Sequence, residues 1–338
     1  MIEALRVPTP DGSGQPVHPD VVDTVDGFAG SRFWMACTPY PFGDDRLENP
    51  VIRVSDDGVE WRPVPGAPDP LVPAPVDTSR HWSDTDLTLH AGRLHLVFRG
   101  CERGRPESEF LLMSSDDGVA WTDPVRVWSG RHGVSPALVA GENGWSMWHI
   151  ECSPGDPTVP VRLVRHDGPR IGDWTDLRDC TASVPGHVLW HVDVRGTGDG
   201  FEALVAAYPE GTNPSRCRLF HLVSDDGVAF RLSTPRPVVA PSWRRWNNRM
   251  VYRSTFSHTP DEGYRIWYSG ASWGMRCGIG LAEGDHLEEL RFRSGPTGVG
   301  RLQRLREDLP GVLSYVAQYR LPEPLRQALR SVRSLLRL

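Results

Sequence analysis

The residues with the greatest chemical capacity recur at long, similar intervals. His18, Asp84, Ser135, His191 and Arg253 stand 66, 51, 56 and 62 residues apart, and two positions after them come Asp20, Asp86, Ala137, Asp193 and Thr255. Residues i and i+2 of a strand share one face. The spacing therefore predicts an outer layer led by His18, Asp84, His191 and Arg253 and a deeper layer led by Asp20, Asp86 and Asp193, all on one axis. Carboxylates and imidazoles brought together can act as acid and base, and like charges in a narrow funnel raise one another's pKa. We expect Asp20 or Asp84 as base, His191 or Asp193 as acid, Asp86 as a charge tuning its neighbour, and Arg253 as a clamp on substrate. His18, Glu48 and Glu151 are expected to touch substrate, and Trp82, Trp190 and Trp273 to flank the mouth. Aromatic plates beside carboxylates suit a sugar. The same groups also have structural uses: Asp84 and Asp86 can cap strand ends, and Arg253 can neutralise Asp20 or Asp193.

Those intervals follow from a repeated element. The heptads Ser55–Trp61, Ser115–Trp121 and Ser224–Phe230 read Ser-Asp-Asp-Gly-Val-x-aromatic. Asp can accept hydrogen bonds from its own turn amides and Gly permits φ > 0, so each reads as a tight hairpin. A repeated hairpin implies a repeated sheet. Five aromatic-rich second strands, each preceded by a Gly-bearing turn (Gly30, Gly92, Gly144, Gly200, Gly263), extend the pattern. The expected fold is all-β, a five-bladed β-propeller over 16–298, with an N-terminal extension over 1–15. The heptads lie between third and fourth strands, away from the axial mouth, and are expected to be structural.

The segment 299–338 is different. Leu325, Ala328, Leu329, Val332, Leu335 and Leu336 keep a helical rhythm beside a stripe of Arg326, Arg330, Arg333 and Arg337. It is expected to form amphipathic helices, with a peripheral membrane or dimer contact through 322–338.

Composition narrows the function classes. The chain has 338 residues, 37 arginines and lysines against 43 acids, and every one of those bases is Arg. Schiff-base chemistry and a P-loop lysine are excluded, and a net charge of −6 speaks against nucleic acid as a partner. Six scattered cysteines without a CxxC pair exclude a zinc knuckle and predict free buried thiols. Without a secretory leader or an apolar run of spanning length, the expected location is cytoplasmic or membrane-peripheral. No cofactor is expected. His18 and His191 permit a cation on the axis, but a structural Ca²⁺ wants more oxygen ligands than they supply.

His18-Pro19-Asp20-Val21, Glu48-Asn49-Pro50 and the Ser-Asp-Asp-Gly turns together resemble the five-bladed propeller glycoside hydrolases of families 43, 32 and 117 over residues 16 to about 295. The turns are similar to the Asp-box of sialidases. The resemblance implies a glycan-processing hydrolase that cleaves a glycosidic bond. His18 stands where family 43 opens with an Asp, which favours the family-117 arrangement with an imidazole acid at His18 or His191. Two other readings use the same funnel: a non-catalytic carbohydrate-binding propeller accessory to surface-polysaccharide assembly, and a transferase of a sugar or phosphosugar. All three take carbohydrate as partner.

Overall fold

The computed structural model describes residues 2–77, 79–153 and 155–295. Twenty strands follow one another as five antiparallel four-strand meanders. The first is β1 (Pro16–Phe28), β2 (Ser31–Pro39), β3 (Val51–Ser55) and β4 (Arg62–Pro63). The second is β5 (Arg80–His90), β6 (Arg93–Glu102), β7 (Glu107–Ser115) and β8 (Val125–Arg131). The third is β9 (Gly133–Gly141), β10 (Gly144–Ser153), β11 (Asp156–Gly168) and β12 (Asp176–Ala182). The fourth is β13 (His187–Thr197), β14 (Gly200–Pro209), β15 (Arg218–Ser224) and β16 (Ala229–Leu232). The fifth is β17 (Met250–Thr259), β18 (Gly263–Ala271), β19 (Cys277–Gly284) and β20 (Arg291–Arg293).

These strands build four sheets, which corrects the expected five-bladed propeller. Three sheets have four strands, and the third and fourth meanders merge into one of eight, ordered β13-β14-β15-β16-β12-β11-β10-β9. The join is parallel: Thr181 and Ala182 of β12 pair with Ala229 and Phe230 of β16. Both are outer strands with open backbone groups, and two such edges satisfy each other when they meet. The repeat of separate sheets is broken there. The first strands still touch in cyclic order, β1 to β5, β9, β13, β17 and back to β1, so their inner faces share one axis.

The heptads are the turns their residues predict. Asp57 Oδ1 accepts from the amides of Val59 and Glu60, and Ser55 Oγ accepts from the amide of Gly58. Asp117 and Asp226 repeat the pattern. Each turn glycine lies under a buried second-strand tryptophan of the adjoining meander: Gly58 under Trp267, Gly118 under Trp34, Gly227 under Trp148. The Trp267 and Trp148 indoles donate to the carbonyls of Gly58 and Gly227. Gly118 has φ +75°, and an added Cβ would stand 2.2 Å from the Trp34 ring. Gly118→Ala should therefore lower unfolding free energy by about 3 kcal/mol through strain and overpacking. Chemical denaturation measures this; a loss under about 0.5 kcal/mol would show that the close approach is not needed.

Each first strand is interrupted at the same height. Pairing jumps from Val17–Thr38 to Asp20–Ala36 in β1, from Ser83–Arg99 to Asp86–Val97 in β5, and from Val134–Ile150 to Ala137–Trp148 in β9. It jumps from Leu189–Ala207 to His191–Ala206 in β13 and from Val251–Gly270 to Ser254–Tyr268 in β17. A β-bulge bends its strand and re-aims the side chain at the bend. Here all five bends face the axis. His18, Asp84 and Ser135 take positive φ of 52°, 47° and 57°. Such a conformation costs about 1–3 kcal/mol in a non-glycine residue and persists where its surroundings hold it.

The N-terminal segment packs on the sheets, with Leu5 and Val7 buried and the Leu5 amide donating to Ile279. All six cysteines are free. No helix among the described residues is long and apolar enough to cross a membrane. The helices expected over 299–338, and the membrane or dimer contact through 322–338, lie outside the described residues.

Candidate metal centre

The bulges bring His18, Asp84 and His191 together. His18 Nε2 lies 3.3 Å and His191 Nδ1 3.7 Å from Asp84 Oδ1. All three side chains are buried, and one ligand atom from each lies within 4.8 Å of the others. The Nδ1 atoms are held in place. His18 Nδ1 meets Thr38 Oγ1 at 3.2 Å, and His191 Nδ1 meets Ser135 Oγ at 2.5 Å. The Ser135 amide donates to Asp84 Oδ2, and Arg99 Nε stands 3.1 Å from that oxygen. Yet His18 Nε2, His191 Nε2 and Asp84 Oδ1 have no hydrogen-bond partner. Buried polar atoms are normally paired, so His18 Nε2 and Asp84 Oδ1, unpaired and facing each other with a nitrogen of His191 within 4.8 Å, leave a place for a ligand.

Electrostatics give these groups the protonation states a metal needs. Burial pulls the His18 imidazole down to about 4 against the opposing Asp84 charge, and it pulls His191 well below the usual imidazole range. Burial alone would raise the Asp84 carboxyl, but Arg99, His18, His191 and Arg253 outweigh it and hold the group below the ordinary carboxylate range. Neutral imidazoles and an ionised carboxylate are the charge states in which such groups bind a divalent cation. Glu48 Oε1 lies 3.7 Å from His18 Nδ1, and burial followed by the Asp84 charge raises its carboxyl well above normal.

The deeper layer forms as expected, with one exchange. Asp20, Asp86 and Asp193 gather below the first group, again with ligand atoms within 4.8 Å. Arg253, expected above them, lies among them: its NH2 is 2.8 Å from the Pro136 carbonyl, 3.4 Å from Asp86 Oδ1 and 3.5 Å from Asp20 Oδ2. The bulge at Tyr252–Arg253 drops the guanidinium one level, and Tyr252 takes its outer place, with ring centroids 4.4 Å from His191 and 5.3 Å from His18. So placed, Arg253 binds carboxylates of the chain itself, and its expected substrate clamp is replaced by a neutralising role. Burial pushes Asp86 up to about 7 and raises Asp20 and Asp193, with Arg253 opposing.

The expectation of no metal or cofactor is corrected by these two buried groups. The first fits a cation, because it gathers two imidazoles and a carboxylate within 4.8 Å and leaves His18 Nε2 and Asp84 Oδ1 unpaired; the second already holds a guanidinium. Of the remaining predicted residues, Trp190 packs edge-on against His191, with ring centroids 5.5 Å apart, while Glu151, Trp82 and Trp273 have other contacts or none at the centre. Glu151 pairs with Arg162 Nε at 2.8 Å. Trp82 donates to the Pro73 carbonyl and packs its edge on Phe98. Trp190 is buried and donates to the Tyr252 hydroxyl. Trp273 stays exposed at the rim. Sequence reasoning missed Arg99, Tyr252, Thr38 and His132. His132 Nε2 lies 3.3 Å from Arg99, and Cys101 Sγ lies 3.2 Å from His81 Nε2 beside the same arginine's strand. Arg99 had one signal: it faces Ser83 across the pair β5–β6.

No family model matches the chain. Its sequence is similar to a curated protein of Flavonifractor plautii, the A type blood N-acetyl-alpha-D-galactosamine deacetylase, at 26% identity over 307 residues. That match spans 75% of this chain but only 40% of the relative's length. Among solved structures, an N-acetylgalactosamine deacetylase from F. plautii, in complex with blood group B trisaccharide, superposes with a TM-score of 0.74 at 22% identity, over 80% of this chain and 85% of that one. A thermostable family-43 glycoside hydrolase superposes at 0.57 and 9% identity, over 85% and 95%. At these identities the structural likenesses speak for the fold alone. The expected kinship with glycoside hydrolases, and the glycosidic cleavage drawn from it, are overturned by the deacetylase match in sequence.

Proposed function

We propose that the chain is a hydrolytic enzyme acting on carbohydrate, and that its reaction is removal of an N-acetyl group from an amino sugar at the centre built by His18, Asp84 and His191. The observation that carries this reading is the convergence of two buried imidazoles and a buried carboxylate at the bulges of three first strands, with His18 Nε2 and Asp84 Oδ1 facing each other unpaired. The similarity to N-acetylgalactosamine deacetylases supplies the bond. A divalent cation bound there supplies Lewis-acid polarisation of a carbonyl oxygen.

The chain's own residues do the rest. Asp84 stays ionised because Arg99 sits on its second oxygen. Thr38 at His18 Nδ1 and Ser135 at His191 Nδ1 hold the two imidazole planes. Amide hydrolysis gives a proton to the departing amine. Glu48, whose carboxyl burial raises well above the ordinary range, lies beside His18 and is the group we assign to that transfer. Arg253 balances the acidic layer below, so that its charge does not reach the reacting amide.

The test is acetate release from N-acetylgalactosamine-terminated oligosaccharides, with metal content measured on the same protein. We expect acetate without reducing-end release, loss of at least about 10²-fold in rate after chelation, and recovery on adding a divalent metal. Unchanged rates in chelator, or new reducing ends without acetate, would falsify the reading.

A further inference from the structure

Away from the metal centre, one surface feature has no structural task. Trp243 is 73% exposed and Trp273 50% exposed, yet their rings lie nearly parallel, 21° apart, with centroids 6.0 Å apart. Two large apolar rings stacked on each other in water leave their outer faces bare. Trp82 and Trp190, by contrast, are committed to packing and to hydrogen bonds within the fold.

The rings are fixed from both sides. The Trp273 amide donates to Asn248 Oδ1 at 2.9 Å, tying its loop to the one that carries Trp243. Arg245, next along, stacks on Phe292 and donates to the Ala240 carbonyl, and Trp246 stacks on Tyr268 at 9°. Asn247 is fully buried. The turn after Trp273 closes through Met275 N to Ser272 O at 2.9 Å. An aromatic surface held this way loses little freedom when something binds it.

Its place in the fold indicates what binds. Trp273 lies two residues beyond Ala271, which pairs with Met250 at the start of β17, and Tyr252, which packs on His18 and His191, lies two residues into that strand. At about 3.3 Å per residue, Trp273 stands on the order of 13 Å along the strands from Tyr252, at the same end of the sheet. That is a reach a short oligosaccharide spans. Indole faces take the C–H face of a pyranose, and Asn248, whose Oδ1 accepts from the Trp273 amide, stands beside them with a hydrogen-bonding group. We infer that Trp243 and Trp273 form an outlying subsite that stacks a pyranose ring of the substrate glycan, removed from the sugar that reacts. A centroid spacing of 6.0 Å is too narrow for a ring between the indoles, so the sugar lies on an outer face.

This rests on the proposed carbohydrate reaction and deepens it. The experiment compares wild type, Trp243→Ala, Trp273→Ala and the double variant on an N-acetylgalactosamine-terminated trisaccharide and on N-acetylgalactosamine alone. KM for the trisaccharide should rise about tenfold in the double variant, with kcat unchanged and the monosaccharide unaffected. The Phe variants at both positions should recover part of the loss. Direct binding of the trisaccharide, followed by calorimetry in an Asp84→Asn background, should weaken by the same factor. Equal effects on both sugars, or none on the trisaccharide, would overturn the subsite. So would a concentration-dependent dimer that the double variant abolishes while sugar binding persists. If wild type binds the trisaccharide through the tryptophans but releases no acetate, the reaction fails and the subsite stands.

Discussion

Asp84→Asn is expected to lower kcat/KM for acetate release by about 10³-fold and to empty the metal centre. Asn is the sharpest choice because it tolerates the positive φ of this position, so the bulge survives. What changes is charge. The amide no longer offers an anionic oxygen to His18, His191 and a cation, and Arg99 is left without its carboxylate. Breaking a buried pair of this kind costs about 3 kcal/mol, so the variant should melt earlier but still fold. Circular dichroism, metal analysis and acetate assay on one preparation separate the effects. A folded variant with wild-type turnover would remove Asp84 from the chemistry.

Arg253→Met carries the largest expected effect on stability. The guanidinium is buried among Asp20, Asp86 and the Pro136 carbonyl, and Asp193 closes the group. Without it, three carboxyls face one another with no cation, and the loss should reach about 3–5 kcal/mol at neutral pH. The pH dependence has a definite sign. Burial and mutual repulsion raise these carboxyls in the fold, Asp86 to about 7, above their unfolded value near 4. The folded state therefore binds more protons in that window, and stability falls as pH rises through it. The variant should be least impaired near pH 5 and most impaired above pH 7. Adding Asp86→Asn should recover part of the loss, since the two sites share contacts. A variant equally stable at pH 5 and pH 8 would contradict this account of the acidic layer.

Much of this arrangement was readable from residue types and spacing. The Ser-Asp-Asp-Gly turns announce themselves because their hydrogen bonds are local, and the five first strands follow from matched polar starts. The two axial layers follow from a period of two. What escaped depends on distance in space. Bulges at His18, Asp84 and Ser135 carry no glycine to mark them. The bulge at Tyr252–Arg253 exchanged the expected clamp for an aromatic cover. Arg99 comes from a second strand and arrives through cross-strand register. The pairing of β12 with β16 joins two edges that no local signal connects, and it turned an expected series of separate sheets into four. The reaction class was misread for a related reason. Carboxylates near imidazoles read as acid and base or as ligands of a cation alike, and residue spacing does not separate the two.

The kinked backbone at positions 18, 84 and 135 limits what mutation can try there. Valine, isoleucine and threonine are barred by the chain's course, whatever their size or polarity, while asparagine, aspartate and glycine pass. Natural drift and laboratory redesign thus draw from the same short repertoire, already rich in metal-binding side chains. Ser135 is the vacancy in that set: a seat shaped for a ligand and filled by a hydroxyl that instead steers the neighbouring imidazole.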